Sequence, residues 1–135
     1  MRIEINNRAK SKIDLNLVES AVKKFVHFYK IKSKEVSIAL VGDVEIRKLN
    51  QTYRGKKEIT DVLAFAGGGE LLGEIVIDYD QIKRQAGQFG NNVKAELVFV
   101  LVHGLLHLLD YDDETELGRW EMIKKGEEFI KKFKM

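Results

Sequence analysis

The chain has neither cysteine nor proline among its 135 residues. Without cysteine there can be no disulfide and no thiolate metal site, so any bound metal must be held by nitrogen and oxygen donors from His, Asp and Glu. The lack of proline decides nothing about growth temperature. Enrichment in Lys and Glu accompanies life in the heat, whereas proline-poor loops point the other way. Long hydrophobic runs are also missing. The longest apolar stretch, Leu97 to Leu109, is interrupted by His103, Gly104 and His107 and is too short to cross a bilayer. The start, Met1-Arg2-Ile3-Glu4, alternates apolar and polar residues and lacks the continuous apolar segment of a secretory signal. A cytoplasmic protein without membrane span or disulfide partner is therefore expected.

What is present describes a soluble globular chain. Hydrophobic residues make up 44% and charged residues 33%, the latter above the roughly 25% average. The net charge of +2 and pI near 8.7 allow a polyanionic partner without requiring one, since nucleic-acid domains usually sit above about pI 9. The length fits one domain, residues 1–135, with one core.

Arg2 to Asn6 alternates as a strand does, and Asp14 can cap a helix carrying Leu17, Val18, Ala21, Val22, Phe25 and Phe28 at helical spacing. Glu35 to Val41 alternates again, and Asp43 is placed to cap a short helix through Ile46, Leu49 and Tyr53. Asp61 to Ala66 and Glu74 to Tyr79, joined through Gly67, Gly68 and Gly69, suit an antiparallel hairpin. Asp80 would cap the next helix. Val93 to Leu109 is apolar nearly all round, which marks a helix enclosed by protein, and a last helix runs from about Glu114 to Phe133. The expected fold is α/β (α+β): one domain, a four-stranded mixed sheet, about five helices, and a central buried helix that binds metal.

His103 and His107 stand four residues apart on that helix. This places both imidazoles on one face with Cβ atoms about 5–6 Å apart, within reach of one ion. Two histidines in an apolar helix need partners for their ring nitrogens, and a shared metal would supply them. Gly104 between them costs roughly 1 kcal/mol against alanine in mid-helix and marks close packing or close approach of another element. Beyond Leu109, the run Asp110-Tyr111-Asp112-Asp113 can fold back to offer a third, carboxylate ligand. Three protein ligands leave a position for water, whose pKa falls toward neutrality on a metal, as hydrolysis of a phosphodiester or an amide requires.

The run His103-Gly104-Leu105-Leu106-His107-Leu108-Leu109-Asp110-Tyr111-Asp112-Asp113 resembles the signature of the YbeY family, His-Gly-x-Leu-His-Leu-x-Gly-Tyr-Asp-His. Two positions depart from it. Asp110 replaces a glycine, and Asp tolerates a left-handed backbone better than most residues. Asp113 replaces the third metal-binding histidine, which exchanges a neutral donor for an anionic one. Asp113 is the expected third ligand by spacing, with Asp112 as its rival. The resemblance extends to Leu49-Asn50, Tyr53-Arg54-Gly55-Lys56, Thr60-Asp61-Val62-Leu63-Ala64-Phe65 and Gly73-Glu74-Ile75-Val76-Ile77, and takes in Glu96. It covers roughly residues 43 to 113. The proline that usually follows the phenylalanine is replaced by Ala66 and a glycine run.

The resemblance implies a metal-dependent endoribonuclease that matures ribosomal RNA, with one transition-metal ion, zinc by expectation, held by His103, His107 and Asp113. It implies single-stranded ribosomal RNA and the small ribosomal subunit as partners. Arg54 matches the family arginine implicated in activity and is the expected catalytic residue, suited to hold a phosphate. Lys56, Thr60 and Asp61 are the expected substrate-binding residues, although Thr60 and Asp61 would also serve a turn before a strand. Glu96, two turns before His103, is read first as a partner of the helix dipole, with support of the site or contact with substrate as the alternatives. Two other readings stay open: an RNA-binding assembly factor with a structural metal, and a zinc peptidase. Peptidases with paired histidines place a glutamate directly after the first, where this chain has Gly104.

Overall fold

The computed structural model describes residues 1–133. Its elements run β1 (Arg2–Asn7), α1 (Leu15–Phe28), β2 (Glu35–Val41), α2 (Asp43–Arg54), β3 (Val62–Ala66), β4 (Leu71–Asp78), α3 (Tyr79–Phe89), α4 (Val93–Leu108) and α5 (Glu116–Phe133). The strands form one mixed sheet in the order β1-β2-β4-β3. β1 and β2 pair in parallel, as do β2 and β4. β3 returns antiparallel on β4, with Ala64 opposite Ile75 and Phe65 opposite Glu74. The expected mixed sheet, hairpin and five helices are all present.

Alternation along each strand sorts its side chains into two layers. Val36, Ile38, Leu40, Ile75 and Ile77 point into the larger core, where they meet α1, α3, α4 and α5. Ala39, Val41, Leu63 and Val76 point the other way and are covered by Ile46 of α2, with Leu49, Ile59 and Phe65 at the border. α4 is the centre of the larger layer. Ten of its sixteen residues are buried, and each enclosed Leu or Val contributes on the order of 1.5–3 kcal/mol relative to an exposed one. Its first turn is capped by Asn92, whose Oδ1 accepts from the Ala95 amide at 2.7 Å. Among the described residues, no helix is long and apolar enough to cross a membrane.

Several boundaries differ from expectation, and at three helix starts the reason is the cap. α2 is capped by Gly42, and Asp43 is already its first residue. α3 is capped by Asp78, which accepts from the Asp80 amide at 3.1 Å. Asp80 turns instead to α2 and accepts from the Asp43 amide at 3.2 Å. β4 begins at Leu71, and α5 begins at Glu116 behind Thr115, whose Oγ1 accepts from the Gly118 amide.

Asp43, Asp78 and Asp80 thus gather where α2 and α3 begin, with oxygens within 4.8 Å of one another. Arg84 donates to both oxygens of Asp43, at 3.0 and 2.7 Å. A guanidinium and two helix N-termini already answer this negative charge, so the cluster is a capping device. Asp78 is wholly buried. Burial first, and then the neighbouring Asp43, push its carboxyl up to about 7. The Arg84 guanidinium holds Asp43 down at about 2.

Candidate metal centre

α4 ends in a Schellman motif, which reverses the chain toward the helix it has just left. The Asp110 amide donates to His107 O at 3.0 Å and the Tyr111 amide to Leu106 O at 3.2 Å. The motif needs a left-handed residue, and Asp110 adopts φ 70°. The aspartate that replaces the family's glycine therefore carries the glycine's conformation.

The reversed segment brings Asp113 to the imidazoles. Its Oδ2 lies 3.3 Å from His103 Nε2 and 3.6 Å from His107 Nε2. The two rings meet edge to face, with centroids 4.9 Å apart. Metal–nitrogen and metal–oxygen bonds of 2.0–2.2 Å in a tetrahedral site place neighbouring donors about 3.3 Å apart. The spacing and chemistry of these donors fit one small transition-metal ion. Asp112 is engaged elsewhere, its Oδ1 accepting from the Glu114 amide at 2.6 Å. Arg119 donates to the Asp113 carbonyl at 3.2 Å and ties the loop that carries Asp113 to α5.

Gly104 lets the sheet approach α4. A Cβ there would stand 3.1 Å from Ile75 Cγ2 and 3.2 Å from Val62 Cγ2. Close approach is thus the physical content of the mid-helix glycine, and it sets β3 and β4 directly against the His103–His107 turn.

The three donors open into a cavity of about 710 Å³. One wall is the whole of β3, the edge strand of the sheet. Tyr53 and Arg54, from the last turn of α2, line it beyond that edge. The cavity therefore wraps around the sheet edge, between the C-terminal ends of α2 and α4. Arg54, Thr60 and Asp61 share this wall with His103, His107 and Asp113, whereas Lys56 lies exposed outside it. Among the described residues, Arg54 is the one lysine or arginine in the lining, and Asp61, Asp113 and Glu114 are its carboxylates.

Asp61 Oδ2 accepts from Gln85 Nε2 at 3.3 Å, and the same amide reaches Glu96 Oε2 at 3.1 Å. Asn91 donates to the other Glu96 oxygen at 3.3 Å. Glu96 is only 3% exposed. It is therefore a buried carboxylate held by two side-chain amides, and one of these reaches the cavity wall. Sequence reasoning passed over Gln85, because a glutamine on an exposed helix has no spacing signature. Glu114 and Phe65 were likewise not expected as cavity residues, although Glu114 directly follows Asp113.

These features define a class: a single α/β domain whose central helix offers two imidazoles, with a carboxylate returned to them, for one metal ion at the edge of a mixed sheet. The chain belongs to the endoribonuclease YbeY family, whose model matches residues 4–134. The endoribonuclease YbeY of Nautilia profundicola is 39% identical over 98% of this chain and 92% of its own length. That of Moorella thermoacetica is 43% identical over 71% of this chain and 70% of its own length. The solution structure of TM1509 from Thermotoga maritima is 31% identical and superposes with a TM-score of 0.68, covering 96% of this chain and 88% of that one.

Proposed function

We propose that this protein is a metal-dependent endoribonuclease that cuts single-stranded RNA during ribosomal RNA maturation. The observation that carries the reading is the meeting of His103, His107 and Asp113 donors at 3.3 and 3.6 Å, inside a cavity that also holds Arg54. When bound there, a metal ion would supply an acidified water and a Lewis acid for phosphoryl oxygen. Zinc suits two imidazoles and one carboxylate with a position left open.

The chain's own residues do the remaining work. Arg54 offers a forked donor to a phosphate and stabilises the charge that grows on it as water adds to phosphorus and the bond to the leaving sugar oxygen breaks. Asp61, fixed through Gln85, and Thr60 orient the strand along the wall. Lys56 and the neighbouring Lys57, exposed beyond the cavity, extend the cationic path for the backbone. The proposed partners are ribosomal RNA and the small ribosomal subunit, and the proposed setting is the cytoplasm. A peptidase reading lacks support at the residue where it matters, because Gly104 leaves no carboxylate directly after His103.

The test is elemental analysis of purified protein together with cleavage of a single-stranded RNA. Wild type is expected to carry near-stoichiometric metal and to cut, and His107→Ala is expected to do neither. Metal-free, inactive wild type from a metal-replete preparation would sink the reading. Metal retention with RNA binding and no cleavage would favour an assembly factor.

A further inference from the structure

We infer that Tyr53, buttressed by Phe65, is a stacking platform for one unpaired base of the substrate strand. The inference rests on the RNA-cleaving reading and adds to it a base-binding subsite. Helical spacing from Ile46 and Leu49 would turn Tyr53 inward, yet its side chain is 64% exposed. Tyr53 belongs to the last turn of α2, beyond the Ile46 and Leu49 that cover Val41 and Val76, and lines the cavity together with Arg54. Phe65 of β3 lies against Tyr53, with the ring centroids 5.0 Å apart and the planes inclined by 60°. The tyrosine ring is thus fixed in place while most of its surface stays in water.

Among the described residues, eight large apolar side chains are exposed, and Tyr53 is the one that lines this cavity. An exposed aromatic carried on a helix and backed by a second ring is a rigid surface that a nucleobase can cover. Such a stack accepts any base, since every base has a π-face. Charge within the cavity places the rest of the nucleotide. Asp61 and Glu114 repel phosphate, and Arg54, the residue next to Tyr53, is the cation that attracts it. Adjacent residues would therefore hold a phosphate and a base of one strand. A base inside a duplex is already stacked on both faces and cannot reach the ring, so the platform itself selects single strands.

The experiment uses metal-loaded protein and a short single-stranded RNA bearing 2-aminopurine at successive positions, mixed by stopped flow so that fluorescence is read before cleavage. Wild type is expected to quench one position strongly. Tyr53→Trp should keep the quench and the affinity. Tyr53→Leu keeps an apolar contact for Phe65 without a π-face, and should lose the quench and bind about tenfold more weakly. An abasic nucleotide at the quenched position should weaken wild type by a similar factor and leave Tyr53→Leu unchanged. Quenching and affinity preserved in Tyr53→Leu would overturn the platform while leaving the nuclease reading standing. Wild type that neither binds nor cuts RNA would overturn both.

Discussion

Asp113 Oδ2 stands 3.3 Å from His103 Nε2 although ten residues and a full reversal of the chain separate them. The contact exists because the Schellman turn at Asp110 points the chain back along α4. Removing partners outside the coordination shell commonly costs 10–100-fold in metal affinity, so loss of this carboxylate is expected to cost at least that. Asp113→Ala should therefore release metal under dialysis that leaves wild type loaded, whereas Asp112→Ala should retain it. Competitive chelator titration distinguishes the two, and equal retention by both variants would remove Asp113 from the ligand set.

Among the described residues, Arg54 is the lone Lys or Arg of the cavity lining, and its expected task belongs to the transition state. Arg54→Ala should keep its metal and its melting temperature but lose about 10²–10³ in kcat, the scale seen when one preorganised donor to a developing oxyanion is removed. Arg54→Lys should recover only part, because a point charge does not reproduce the fork. Steady-state kinetics that change KM alone would reassign Arg54 to binding.

Between Asp78 and Asp43 the structure contains its own pH dependence. The folded state holds a proton on Asp78 up to about 7, whereas the ordinary value is 3.8. Between those limits the folded protein binds more protons than the unfolded chain, so stability falls as pH rises from about 4 to about 7 and then levels. Asp43 acts in the opposite sense. Its carboxyl is held down at about 2 against 3.8, so its contribution is present above that range and fades as pH drops through it. Thermal melts of Asp78→Asn across pH 4 to 8 should lose the downward slope of wild type. An identical slope in both would show that the buried carboxyl is ionised throughout.

At Asp110 the backbone lies at φ 70°, a region costing roughly 1–2 kcal/mol for an ordinary L-residue and less for Asp or Asn. Asp110→Val is expected to lower stability by about 1–2 kcal/mol, and Asp110→Gly to leave it unchanged or raise it slightly, read by urea unfolding. Metal affinity should follow the same order, since the turn aims Asp113.

Much of this molecule was legible from spacing. The imidazole pair, the enclosed character of α4 and the strand alternation depend on neighbours in sequence, and those are visible in a linear string. What escaped depends on elements meeting. Asp80 has the composition of a cap for α3, yet it serves the first amide of α2, because two helices begin side by side. Tyr53 has the correct helical phase for burial, but phase fixes only direction about an axis, and in the last turn of α2 that direction leads to the cavity, where Phe65 of β3 meets the ring. The amides of Gln85 and Asn91 around Glu96 likewise appear only once α3 and α4 pack together.

β3 forms a wall of the cavity and is also the edge of the sheet. Its five residues, Val-Leu-Ala-Phe-Ala, carry no charge, so the strand lacks the lysine or proline with which exposed edges usually discourage pairing with another chain. Protection falls to its flanks, Lys56, Lys57 and Glu58 before it and Glu70 after it, and to whatever lies in the groove. A strand of RNA lying in the groove, as proposed, would cover this uncharged edge and so also shield the protein from pairing with its own copies.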